Sequence, residues 1–142
     1  MNLLAEVDNG RFKFLMTNGA YMHFARAFSD ENRIQQDAQT RVAIAEVFQH
    51  WRDVARKWAK EDGASDFYQW LFDHWFYVVE ITQKSNGEGK IIITEEDSGG
   101  RTRRVTRTFK RFKPPMVGKF YIAHGIDVTK SDYVTLMLPE EY

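Results

Sequence analysis

The sequence predicts an α+β fold in two layers, with N-terminal helices packed on a C-terminal antiparallel sheet of four to five strands. Three observations predict it. Apolar residues recur at helical spacing between residues 29 and 63, turn dipeptides divide the second half into short β-rich runs, and an aromatic share of 15% supplies a core. A chain of 142 residues has the size of one ordinary domain and buries most of its apolar side chains around a single core.

Asn9-Gly10 and Asn18-Gly19 favour the positive φ of tight turns. Between them Arg11-Phe12-Lys13-Phe14 alternates polar and apolar, as a short strand does. Residues 20–28 have helix-forming composition behind Asn18 as a cap. From Ser29-Asp30 to Gly63 the helical signals agree: acids Asp30 and Glu31 in the first turn, Arg56, Lys57 and Lys60 near the end, then glycine as a stop. Ile44, Val47, Trp51, Val54 and Trp58 repeat along one face. A straight helix over that span measures roughly 50 Å at 1.5 Å per residue, so a break is expected in the polar stretch 35–40.

Ser65-Asp66 begins a further helix with Phe67, Trp70, Leu71, Trp75 and Val78 on one face. Phe72, Phe76 and Tyr77 make it apolar on nearly every side, which predicts burial and places the switch from helix to strand near Phe76. Asn86-Gly87 then separates a strand at 77–82 from one at 90–94, and Gly99-Gly100 separates the latter from 103–112. Pro114-Pro115 ends or bends that strand. Strands at 118–124 and 133–138 complete an antiparallel meander. Trp51, Trp58, Trp70 and Trp75 all fall on faces expected to be inside.

Composition narrows function mainly by exclusion. The chain has no cysteine, so disulfides, thiolate metal sites and cysteine nucleophiles are absent. No run approaches the roughly 20 apolar residues of a membrane helix, and the start of the chain lacks the charged and apolar regions of a leader. No membrane association and a cytoplasmic location are therefore expected. Dinucleotide, phosphate-loop, esterase-elbow, zinc-protease and EF-hand motifs are missing, and neither a cofactor nor a catalytic constellation is read from the residues. Gly87-Glu88-Gly89-Lys90 reads as a hairpin turn, because Lys84 stands where a phosphate loop has its first glycine.

The histidines are His23, His50, His74 and His124. His50 shares a helix face with Glu46 and Asp53, and helix packing could bring His74 to it as a partial metal or acid-base site. The plainer reading makes His50 part of a local ion pair and His74 a hydrogen-bonded core residue. His124 precedes Gly125 near Asp127 at a strand end, a common turn arrangement.

Lys and Arg equal Asp and Glu at 20 each, yet residues 101–113 hold Arg101, Arg103, Arg104, Arg107, Lys110, Arg111 and Lys113 with no acid. With Gly99-Gly100 as central turn residues, Glu96 faces Arg103 and Glu95 faces Arg104, which accounts for two cations. Arg107, Lys110, Arg111 and Lys113, interleaved with Phe109 and Phe112, form the candidate binding surface. Cations among aromatic rings on a sheet suit single-stranded nucleic acid. The same charges on an edge strand discourage unwanted pairing.

Element order and length alone resemble nuclear-transport-factor-like domains, a likeness that implies a cone-shaped pocket between sheet and helices. No catalytic residue supports it. Three function classes follow: a non-enzymatic protein-binding or regulatory module, of the adaptor or inhibitor kind that phages and mobile elements also encode; a nucleic-acid binder using 101–113; or a small-molecule binder or enzyme with an aromatic pocket holding His50, His74 or His124. A protein partner is the leading expectation.

Overall fold

Asn32 starts the longest element. Its backbone is extended and its side chain accepts a hydrogen bond from the Gln35 N–H, which caps α2 (Arg33–Glu61). The computed structural model describes residues 2–84, 88–96, 102–109 and 116–142, without the side chains of Glu96 and Phe109. α2 runs unbroken for 29 residues, and the expected break at 35–40 does not occur. The reason is that its polar residues find partners. Thr40, fully buried, donates to the Gln36 carbonyl at 2.6 Å, Gln36 donates to the Ala25 carbonyl, and Asp37 receives both Tyr21 and Arg41. Those contacts seat α2 against α1 (Asn18–Ala25), whose cap is Thr17 rather than Asn18.

Asp66 caps α3 (Phe67–Trp70), as its position in the sequence predicts, but only one turn forms. Hydrogen bonds at turn spacing carry the chain on through His74, and β3 (Phe76–Gln83) begins at the expected switch.

The sheet has seven strands, not four or five. β1 (Asn2–Val7), β2 (Phe12–Met16), β3, β4 (Gly89–Glu96), β5 (Thr102–Phe109), β6 (Gly118–Ile126) and β7 (Asp132–Met137) lie in the order β1-β2-β7-β6-β3-β4-β5. The arrangement is no simple meander: β6 returns beside β3, and β2 joins β7 in the one parallel pair. β2 contributes Phe12, Phe14 and Met16 to the buried face, in register with Asp132, Val134 and Leu136 of β7. The β1–β2 hairpin turns through Asp8, Asn9 and Gly10, all at positive φ. This is the geometry that Asn9-Gly10 signals.

The inner face of the sheet meets the helices ring to ring. Trp51 has no exposed surface and packs against Phe12 (6.3 Å between centroids), Tyr77 (5.5 Å) and Phe67 (6.4 Å). Phe14 meets Phe48 of α2, and Phe120 meets Phe24 of α1. These ring contacts join the inner face of the sheet to α1 and α2. Trp75 is the exception among the tryptophans. Expected inside, it is 44% exposed, because the helix ends before it and its ring lies beside Phe76. Phe76 in turn contacts Tyr121 and Tyr142, making an aromatic cluster on the face away from α2.

Trp51→Ala should therefore destabilise the fold by about 3–5 kcal/mol, and Trp75→Ala by about 1 kcal/mol or less. Thermal melts of the two variants check this difference, and equal losses would contradict the packing described.

Candidate functional site

The sequence directs attention to the basic strand, and the structure describes its first part as β5. Lys110, Arg111, Phe112 and Lys113 lie outside the described residues, as does the Phe109 side chain. β5 is the last strand of the sheet and pairs with β4 through eight consecutive residue pairs without a register shift, from Gly89↔Phe109 to Glu96↔Thr102.

Two backbone hydrogen bonds fix which groups this strand leaves open. Lys84 N–H donates to the Glu88 carbonyl at 2.8 Å, and His124 N–H donates to the Trp75 carbonyl at 2.7 Å. Bonded pairs alternate along antiparallel ladders, so β3 bonds β4 through its even-numbered residues and β6 through its odd-numbered ones. β4 is left with its odd-numbered residues for β5, and Glu95↔Arg103, Ile93↔Val105 and Ile91↔Arg107 are the bonded pairs. The backbone groups of Thr102, Arg104, Thr106 and Thr108 consequently point away from the sheet. All four residues are exposed.

The observed register differs by one residue from that of a two-residue turn at Gly99-Gly100. Glu95, not Glu96, faces Arg103, and Arg104 faces Thr94. A shift of one residue exchanges the faces of a strand, and the consequence is large. Arg103 turns to the helix side and enters a partly buried cluster, instead of forming a surface pair with Glu96.

Glu95 is 2% exposed. One carboxylate oxygen accepts from Arg103 at 2.7 Å and the other from His74 Nδ1–H at 2.7 Å. Arg103 also donates to Asp62 at 3.0 Å, and Asp62 accepts from Trp70 Nε1 at 2.9 Å. The His74 ring stacks on Trp70 with centroids 4.0 Å apart, and the Arg103 guanidinium lies over Trp58 at 5.1 Å. Burial opposes ionisation of Asp62, but hydrogen bonds from Trp70 and Arg103 outweigh it and hold its carboxyl below the usual range. Burial, reinforced by the Glu95 carboxylate, pushes the Tyr77 phenol well above its usual range, and Tyr77 donates to the His74 carbonyl. Every charged member of this cluster bonds another member, and together they tie β5 to β4, to the end of α2 and to the turn after α3.

The other histidines are likewise engaged in structure. His74 joins Glu95 and not His50. His124 donates to Asp132 at 2.8 Å beneath Phe72, while Asp127 accepts from Lys13, Thr129 and Ser131. His23 donates to the Val117 carbonyl at 3.0 Å. His50 is 3% exposed, and its neighbour Asp53 turns outward to Gln49 and Arg107. Burial, together with the nearby Arg107 guanidinium, lowers the His50 pKa to about 4. Among the described residues, no group of three acidic or histidine side chains is placed to hold a metal ion, and no helix is long and apolar enough to cross a membrane.

Two surface depressions bear on the small-molecule reading. One, of about 360 Å³, is lined by Tyr21, Asp37 and Arg41, which bond to one another. The other, of about 310 Å³, is lined chiefly by Phe28, Val42, Ala43 and Met116. Neither contains a histidine. No protein-family model, curated protein or solved structure matches the chain.

Sequence reasoning placed Glu95 in an exposed pair with Arg104 instead of at the helix side with Arg103, and it missed Asp62. Signals for both were present: Ile91, Ile93 and Glu95 share one face, which puts an acid in an apolar row, and Asp62 stands at the C-terminus of α2, where the helix dipole disfavours an acid.

Arg103→Ala should cost about 3–5 kcal/mol, because it leaves Glu95 buried without its cation. Arg104→Ala should cost less than about 0.5 kcal/mol. Urea denaturation distinguishes them. His50 supplies a pH dependence with a definite sign. Its folded pKa of about 4 lies below the ordinary 6.5, so the unfolded chain binds the proton first and stability falls as pH drops from about 6.5 to about 4. A His50→Gln variant should show a flatter loss of melting temperature over that window.

Proposed function

We propose that the chain is a non-enzymatic protein-binding module, an adaptor or inhibitor, that takes up a segment of its partner as an added strand along β5. The observation that carries this reading is the open backbone of Thr102, Arg104, Thr106 and Thr108, an uninterrupted edge with no other strand beside it among the described residues. From Thr102 to Thr108 it spans about 20 Å at 3.4 Å per residue. Strand addition draws its affinity from such main-chain groups.

The opposite edge has a different character. β1 carries a register shift between Leu3 and Ala5, and its Leu3 carbonyl accepts Arg41 at 3.1 Å. Bulges and covered carbonyls are the usual protection of a sheet edge. β5 keeps an unshifted register across its eight pairs, and among the described residues no side chain is seen to bond its outward carbonyls.

The nucleic-acid reading has less support from the same strand. A stacking platform needs cations and rings together on one open face. Of the described cations, Arg103 turns inward to Glu95 and Arg107 lies on the helix side near Asp53, which leaves Arg104 on the outer face.

Thr106→Pro tests the proposal, since it removes an outward N–H without removing a bond to β4, and edge strands tolerate proline there. It should fold with a stability loss of about 1 kcal/mol or less and should fail to capture the partner that the parent chain retains from nuclease-treated lysate. Val105→Pro, which deletes a ladder donor, should unfold far more readily. Retention of the partner by folded Thr106→Pro would refute docking at β5.

A further inference from the structure

We infer that the segment β5 accepts is acidic, with carboxylates at two positions three residues apart. This rests on the strand-addition reading and adds the chemistry of the partner. Arg104 and Arg107 are the charged side chains of β5 that reach the surface, with Arg104 exposed and Arg107 53% exposed, whereas Arg103 is enclosed. Residues 101–113 contain no acid.

Because side chains alternate along a strand, Arg104 stands on the outer face and Arg107 on the helix face. A strand laid beside β5 brings one residue opposite each of them, and those two residues are separated by three positions and also lie on opposite faces. Directly opposite side chains are roughly 5 Å apart at Cβ, within reach of an ion pair. Arg107 has Asp53 at 3.9 Å and remains 53% exposed, so a further carboxylate can approach its guanidinium from solvent. The remaining outward residues, Thr102, Thr106 and Thr108, suit β-branched neighbours.

The same charges choose against the two commonest competitors. A second copy of β5 would bring four arginines into one seam, and like charges across paired strands are unfavourable. A neutral strand would gain the backbone bonds while desolvating Arg104 without offering it a carboxylate. Arg103 contributes indirectly: anchored to Glu95 and Asp62, it fixes the edge before a partner arrives, which lowers the ordering cost of binding.

The test is selection from a library of random dodecapeptides displayed on phage against the immobilised full chain. Enriched peptides should carry an acid-x-x-acid spacing within a β-branched run. Synthetic versions should bind the parent and lose binding to Thr106→Pro, and should bind Arg104→Glu/Arg107→Glu about tenfold or more weakly at low salt. The milder Arg104→Gln/Arg107→Gln pair should give a smaller loss in the same direction, and melts confirm that each variant is folded. Enriched peptides that are neutral or basic, yet still depend on Thr106, would overturn the charge inference and leave strand addition standing. Peptides indifferent to Thr106→Pro, an absence of enriched peptides, tight oligo(dT) binding unaffected by Thr106→Pro, or a parent chain that dimerises through β5 would overturn both.

Discussion

The position of β5 depends on one carboxylate kept almost entirely from water. Glu95 points from β4 toward the helices, at the end of a row that begins with Ile91 and Ile93. Taking a carboxylate out of water costs several kcal/mol, and attraction offsets this only when both oxygens are well partnered. Arg103 occupies one and His74 the other, so satisfying Glu95 requires β5 and the turn after α3 to be in place together. Asp62 brings the end of α2 to the same arginine, and Trp58 and Trp70 enclose it with flat apolar surfaces. Four separate parts of the chain are thereby fixed relative to one another by charge geometry instead of by shape alone.

A dimensional constraint explains why charge takes over at that end. Seven strands at about 4.8 Å spacing place the outermost pair roughly 29 Å apart, whereas a helix with its side chains is about 10 Å across. α2 and α1 cover the middle of the sheet with Phe48, Trp51, Trp58 and Phe24. Across β4 and β5 the inner row passes from Ile91 and Ile93 through Val105 to Arg103 and Arg107, a change from apolar to ionic within one strand spacing. Apolar packing fades where helix coverage ends, and the Glu95 cluster supplies the attachment that packing no longer can.

How much of this could be read beforehand varied with the range of the interaction. Several local signals held: the periodicity of Ile44 through Trp58, the Asp66 cap, the switch at Phe76 and the Asn9-Gly10 turn each correspond to an observed element, whereas the caps expected at Asn18 and at Ser29-Asp30 fall instead on Thr17 and Asn32. The N-terminal hairpin's place in the sheet was not legible, because the β2–β7 pair joins residues more than a hundred positions apart and carries no turn signature between them. Trp75 shows the limit of face assignment, since a helical pattern means nothing beyond the residue where the helix stops. The Glu95–Arg103 pairing was off by a single residue. In a sheet that small error decides whether an arginine is a surface charge or the centre of a partly buried cluster.

The two readings of the basic strand, as protected edge and as docking surface, describe the same physics with different partners. Four outward-facing residues can exchange up to eight main-chain hydrogen bonds with an added strand, each worth about 0.5–1.5 kcal/mol net. That total is set against the several kcal/mol required to immobilise a flexible segment. An exposed ion pair adds about 0.2–1 kcal/mol. Backbone bonding thus decides whether a strand can bind at all, while Arg104 and Arg107 decide which strand, because their sign is favourable opposite acids and unfavourable opposite a copy of β5. Protection against self-association is then a consequence of the selectivity, and an edge built this way can remain straight and open without the bulge that β1 requires.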